Sequence, residues 1–301
     1  HAGRAAARRG GADRGAMSAQ PGDAAEFCAG LVREFDFTRY ASTLFVTQDA
    51  RRALLALYAF NVEIARVHEH IRQPMAGEIR LQWWTDMLAG QGHGYVEGSP
   101  VASELMRAVE AHALPVERLT RLIEAHQFDL YNDPMPDSEV LDTYAQETSS
   151  ALFELGARIA GASPDALAEV TRQAGIAETY LHVLTRLPFD ASRQQVYLPL
   201  DLLTRHGGGI DEVFAGKMTP ALRATIAEFV DLALSHFKLM HAPLMQLAPE
   251  ARQVFLPMAM ARRTLERARR PDFDPYKPQP DSRLRILWTL WRASRSRDFR
   301  G

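Results

Sequence analysis

A chain of 301 residues with 47% apolar residues, a formal net charge of −2 and a single cysteine, Cys28, has the make-up of a globular protein with room for one large domain or two ordinary ones. The near-neutral charge excludes a global field that would gather nucleic acid, and the lone thiol excludes both an internal disulfide and a thiolate metal cage. No apolar run reaches the roughly 18 residues needed to span a bilayer, so any membrane contact is expected to be peripheral.

Residues 1–20 come first and are Gly/Ala/Arg-rich, with no apolar stretch of the kind a secretory signal needs. They have the Arg-rich, acid-poor look of a mitochondrial transit peptide, yet no serine precedes Ser18 and the first methionine is Met17. A disordered leader or translated upstream extension is expected there. Lysine occurs only at Lys217, Lys238 and Lys277, and so arginine-heavy a chain points to a GC-rich, bacterial type of genome.

From there the periodicity is helical. Ala53, Leu54, Leu57, Tyr58, Asn61, Ile64 and Ala65 recur at three- and four-residue spacing, predicting one helix over 49–71 that Pro74 ends. A second runs over 78–88 and carries Trp83 and Trp84, whose adjacent rings predict core packing. Pro100, Pro115, Pro136 and Pro164 sit where first helical turns would begin, with Ser138 and Ser163 as capping side chains. Long helices are expected at 138–161 and 165–186. A loop with Val196-Tyr197-Leu198-Pro199 and Gly207-Gly208-Gly209 follows, then helices at 219–240 and 250–269. Residues 271–282 are Pro/Asp-rich and irregular, and 283–296 form a short basic helix. With no alternating β-branched run and no internal repeat, the expectation is an all-α protein, a single helical bundle with long antiparallel helices around a central space. The domain would cover 21–270, and 271–301 would add the irregular segment and the C-terminal helix.

Phosphate-loop, HExxH and nucleophile-elbow signatures are absent. His68-Glu69-His70 looks metal-like, but residues two apart on a helix diverge; solvated helix-end residues are the plainer reading, and no metal or cofactor is expected.

Three segments carry a resemblance: Arg51-Arg52-Ala53-Leu54-Leu55-Ala56-Leu57-Tyr58-Ala59-Phe60, Leu81-Gln82-Trp83-Trp84, and Gly175-Ile176-Ala177 leading to Val196-Tyr197-Leu198-Pro199-Leu200-Asp201-Leu202-Leu203. In this order and at these separations the chain resembles the squalene/phytoene synthase family, which implies the all-α isoprenoid (terpenoid) synthase fold. Synthases of that family ionise a prenyl diphosphate with magnesium, a hard cation that takes oxygen ligands, here from aspartates on two facing helices. The resemblance places Ala65, Arg66 and Glu69 at the first cluster and His182, Thr185, Arg186 and Asp190 at the second. Only Glu69 and Asp190 keep a carboxylate, and two arginines stand where acids belong. Two unit charges about 4 Å apart interact by roughly 4 kcal/mol at an effective dielectric of 20, so the clusters are read as degraded and the chain as non-catalytic.

Asn61-Val62-Glu63-Ile64-Ala65, Tyr144-Ala145-Gln146-Glu147-Thr148-Ser149-Ser150 and Arg269-Arg270-Pro271-Asp272-Phe273-Asp274-Pro275 resemble the branch of this family that holds the mitochondrial complex I assembly factor and its α-proteobacterial relatives. That implies work in the biogenesis of NADH:ubiquinone oxidoreductase, with its subunits or assembly intermediates as partners. The place would be the bacterial cytoplasm or the mitochondrial matrix, peripheral on the inner membrane. An active prenyltransferase is the alternative.

Glu178, His182 and Arg186 share a helix face, as do Glu63, Arg66 and Glu69. Intrahelical ion pairs closing an unused cavity are one reading. The other is an anion pocket of Arg66, Arg186 and Tyr197 gripping a lipid or isoprenoid phosphate. Asp129, Glu147 and Asp190 are expected to pair with arginines, and His126 and His206 to lie at the surface. Ile286, Leu287, Leu290 and Trp291 alternate with Arg283, Arg285, Arg292, Arg295 and Arg297, so the last helix either docks on the bundle or lies on an anionic membrane.

Overall fold

A computed structural model describes residues 21–91 and 98–296, so the expected leader and Arg297 lie outside the described residues. Among those described, every regular element is helical. The first half comprises α1 (Pro21–Phe35), α2 (Phe37–Ser42), α3 (Gln48–Ala65), α4 (Pro74–Leu88), α5 (Pro100–His112) and α6 (Val116–Ala125). Residues 53–60 of α3 are buried without interruption, and a helix buried on every face must be the centre of a bundle. Helices α1, α5 and α8 (Ala151–Ile159) surround it. Trp84 is fully buried, its ring edge-on to Phe60 at 5.0 Å, while Trp83 is partly buried against it.

The expected helix 49–71 ends early. Arg66 leaves helical geometry at φ −102°, ψ 4°, and a 3₁₀ turn covers Val67–His70. The expected helix 138–161 is also interrupted: α7 (Ser138–Ala145) passes through a π-helical turn, Gln146–Ser150, before α8. Such turns are usually single and often mark functional sites. Here Arg118 holds the turn, donating to the Gln146 carbonyl at 2.9 Å, to Glu147 at 2.5 Å and to Glu154 at 2.9 Å. Gly175 lies opposite on α9 (Ala168–Ser192), where a Cβ would stand 2.1 Å from Ser150 Oγ and 2.4 Å from its backbone nitrogen. Only glycine admits so close an approach, which accounts for it in the Gly175-Ile176-Ala177 segment. Asp137, not Ser138, caps α7, accepting from Val140 N at 2.9 Å; Ser163 makes no side-chain cap.

Helix α9 runs beyond the expected 186, through Pro188, to Ser192. It lies along α12 (Pro220–Gln246), Tyr180 stacking on Phe229 at 4.3 Å. Between them in sequence come α10 (Leu200–Arg205) and α11 (Ile210–Phe214). The Val196-Tyr197-Leu198-Pro199 segment is locked by backbone bonds between Met135 and Val196 at 2.9 Å and between Leu200 and Met135 at 3.0 Å. The chain closes with α13 (Pro249–Arg252), α14 (Pro257–Ala268) and α15 (Arg283–Arg295). One apolar core gathers around α3; a second gathers α7, α10, α11 and α12; α9 contributes to both.

Candidate functional site

A cavity of about 980 Å³ opens among α3, α9, α14 and the π turn, and it is lined by Ala65, Arg66, Glu69, His182, Arg186, Asp190 and Tyr197 together. Every position that the sequence singles out in the two clusters therefore faces one space.

The break after Ala65 matters here. It swings Glu69 out of helical register, so the carboxylate receives Arg66 Nε on one oxygen at 2.7 Å and Arg186 Nη2 on the other at 3.0 Å. Arg186 also lies 3.6 Å from Asp190. Glu69 is thus a clamp between the two clusters, 117 residues from Arg186. The intrahelical stripes expected from sequence do not form in full: Glu63 faces Arg80 at 3.9 Å, and Glu178 reaches Arg39 on α2 rather than Arg186. Arg66 lies on the Phe35 ring at 3.6 Å and Arg186 on Phe189 at 4.5 Å, where the ring faces favour cations.

Burial raises the Glu69 carboxyl, but the hydrogen bonds and charges of Arg66 and Arg186 outweigh it and hold the group below its usual range. Asp190 goes the other way. Burial drives it up to about 6; Arg186 opposes this, while the charges of Asp129 and Glu69 add to it. The two surviving carboxylates therefore respond oppositely to the same site. His182 is accessible from the cavity yet surrounded by protein, and that desolvation pushes its imidazole toward the neutral form; the same holds for His68. His70 is exposed, its Nδ1 2.9 Å from the Arg66 carbonyl.

A second cluster was illegible from sequence. His126, expected at the surface, is buried, and its Nδ1 lies 2.6 Å from Asp129. Among the described residues Asp129 pairs with no arginine; it accepts instead from Tyr144 at 3.1 Å and Tyr197 at 2.7 Å. Burial raises Asp129, but His126 and the Tyr197 hydrogen bond bring it below its ordinary value. Burial and the Asp129 charge push both tyrosines well up. Tyr197 is accordingly committed to a carboxylate, not to the arginines with which the sequence grouped it. Glu147 does pair with an arginine, Arg118, and half-exposed His206 meets Glu228 at 2.6 Å.

Arg39 and Glu178 complete the lining, both almost wholly buried and joined to each other, with Asp36 2.9 Å from Arg39 on the far side. Burial would lower the Arg39 pKa, but Glu178 and Asp36 more than reverse this. The hint in sequence was the Asp36/Arg39 spacing of three; nothing local points to Glu178. Cys28 is buried, and its thiol is pushed up to about 12 by burial and by Glu104, so it is no nucleophile at neutral pH. Among the described residues no group of three or more His, Cys, Asp or Glu is placed to hold a metal ion.

The squalene/phytoene synthase family model matches residues 32–292. The NADH dehydrogenase (ubiquinone) complex I, assembly factor 6 of Rattus norvegicus is 27% identical over 274 residues, covering 90% of this chain and 82% of that protein. The phytoene synthase of Thermus thermophilus is 29% identical over 202 residues, covering 65% of this chain and 66% of its own. Among solved structures, squalene synthase HpnC from Alicyclobacillus acidocaldarius superposes with a TM-score of 0.70 at 22% identity, over 85% of this chain and 95% of that one. With its helices wrapped around the cavity that both clusters share and the match spanning nearly all of the described domain, this chain belongs to the squalene/phytoene synthase family.

Proposed function

We propose that this chain uses the synthase fold without synthase chemistry and acts in the assembly of respiratory complex I, NADH:ubiquinone oxidoreductase. One observation carries the first half: the clamp in which Arg66 and Arg186 take both oxygens of Glu69. A magnesium ion needs those oxygens free and negative. Here they accept N–H groups, Ala65 offers no ligand, and the remaining carboxyl, Asp190, is drawn toward its neutral form. The residues present do not fit the metal.

The assembly role rests on the likeness to the rat assembly factor across 90% of this chain. Its partners would be complex I subunits or assembly intermediates, met at the inner face of the energy-converting membrane, from the bacterial cytoplasm or the mitochondrial matrix. Among the described residues no helix is long and apolar enough to cross that membrane. Deleting the gene and separating membrane complexes on a native gel tests this role. The expected result is loss of mature complex I with the other respiratory complexes retained, restored by the wild-type gene. Undiminished complex I would refute it.

A second reading is favoured by the retained cavity. Arg66 and Arg186 each give Glu69 one hydrogen bond, and a guanidinium has five N–H donors. The remaining donors would suit the phosphate of a lipid or isoprenoid held without being turned over. An active prenyltransferase condensing isoprenoid diphosphates is the competing view, supported by the likeness to the phytoene synthase and opposed by the clamp.

A further inference from the structure

Helix α15 has two apolar faces, and the bundle uses only one of them. Leu290 and Ala293 are fully buried, and Ile286 and Leu287 pack beside them on the main core. That face is enough to fix the helix, whose first turn is capped by Ser282 accepting from Arg285 N at 3.3 Å. Leu284, Trp288 and Trp291 follow each other at i, i+4 and i+7 on a separate stripe. They are 80%, 58% and 39% exposed, and the two indoles stack on each other at 5.0 Å.

The charges beside this stripe are of one sign. Residues 283–295 contain Arg283, Arg285, Arg292 and Arg295 and no acid. Arg295 lies over the Trp291 ring at 4.5 Å, while Arg285 is held near the bundle by Asp281 at 3.3 Å. Exposed tryptophan flanked by arginine suits a surface that is apolar below and anionic above: the rings enter the headgroup layer while long basic side chains reach its phosphates.

We propose that the Leu284–Trp288–Trp291 face of α15 docks on the surface of an anionic lipid bilayer. The proposal rests on this helix alone and stands or falls separately from the assembly role. It has a consequence for the cavity, since Ile286 of α15 and the exposed Pro278, Gln279 and Pro280 just before it belong to the cavity lining. Docking would bring that end of the cavity beside the bilayer.

The test is co-sedimentation of the full chain with phosphatidylcholine vesicles, with and without phosphatidylglycerol. Binding is expected only with phosphatidylglycerol, weakening in salt, with a blue shift of tryptophan emission. The Trp288→Ala/Trp291→Ala variant should bind at least about tenfold more weakly and lose the blue shift. Each of Arg292→Gln and Arg295→Gln should cost about fivefold. Because the altered side chains lie outside the core, the thermal midpoint of the tryptophan variant should match wild type, and that control separates lost docking from lost folding. Absence of wild-type binding, equal binding by the tryptophan variant, or a protein dimer that the variant dissociates would each overturn the proposal.

Discussion

Arg39→Met is expected to lower the free energy of unfolding at neutral pH by about 3–5 kcal/mol, as removal of one partner from a buried ion pair does. Arg39 is 4% and Glu178 5% exposed, and the guanidinium is wedged 5.6 Å from the rings of both Tyr58 and Phe153. Methionine fills much of the volume, so the loss comes mainly from Glu178, left charged in a poorly hydrated site. The Arg39→Met/Glu178→Leu double variant removes both charges and should recover most of the loss, because a buried pair gains little over apolar residues of similar size. Urea unfolding of the two variants reads both the loss and its recovery. A loss under about 1 kcal/mol would mean that water reaches the pair.

Asp190→Asn should have the opposite sign. The Asp190 carboxyl, ordinarily near 3.8, is pushed up to about 6 by burial, Asp129 and Glu69 against the pull of Arg186. A raised acid contributes stability that is full below its unfolded pKa and is lost as pH climbs through its folded pKa. Wild-type stability should therefore carry a falling component between about pH 4 and pH 6 that the asparagine variant lacks. A shift of this size corresponds to at most about 3 kcal/mol. Since Arg186 is 43% exposed, a gain of about 1–2 kcal/mol for Asp190→Asn at pH 7 is the realistic expectation, closing toward pH 4. Parallel stability curves for the two proteins would contradict it. Together with the clamp on Glu69, a gain here would mean that the second surviving carboxylate is also unfavourably placed to be a negative ligand.

What the sequence made legible follows from what is local. Period and proline placement mark the helices, because an amphipathic face and a capped first turn are encoded within a few residues. The Val196-Tyr197-Leu198-Pro199 segment and the two cluster positions are legible through resemblance, and they do share one cavity. Less legible is where a helix stops without glycine or proline. Arg66 ends α3 where the Arg66–Glu69–Arg186 contact forms, and half of that contact is 117 residues away. The π turn at 146–150 likewise depends on Arg118 and on the close approach of Gly175, neither of which leaves a mark in the turn's own residues. Burial of His126 escaped for a related reason: its partners Asp129 and Tyr144, and Tyr197, which donates to the same Asp129, come from three separate elements. Polar residues inside a helical bundle are read correctly only when their partners are known, and most of these partners are distant in sequence.

Turnover by the purified full chain tests most directly the proposal that the synthase fold works here without synthase chemistry. Incubated with farnesyl or geranylgeranyl diphosphate and magnesium, the protein is expected to release no pyrophosphate above the enzyme-free control. That expectation rests on Glu69, whose two oxygens accept from Arg66 and Arg186, and on Ala65, which offers no ligand. Magnesium-dependent pyrophosphate release that scales with protein concentration, accompanied by a condensed isoprenoid product, would contradict the account.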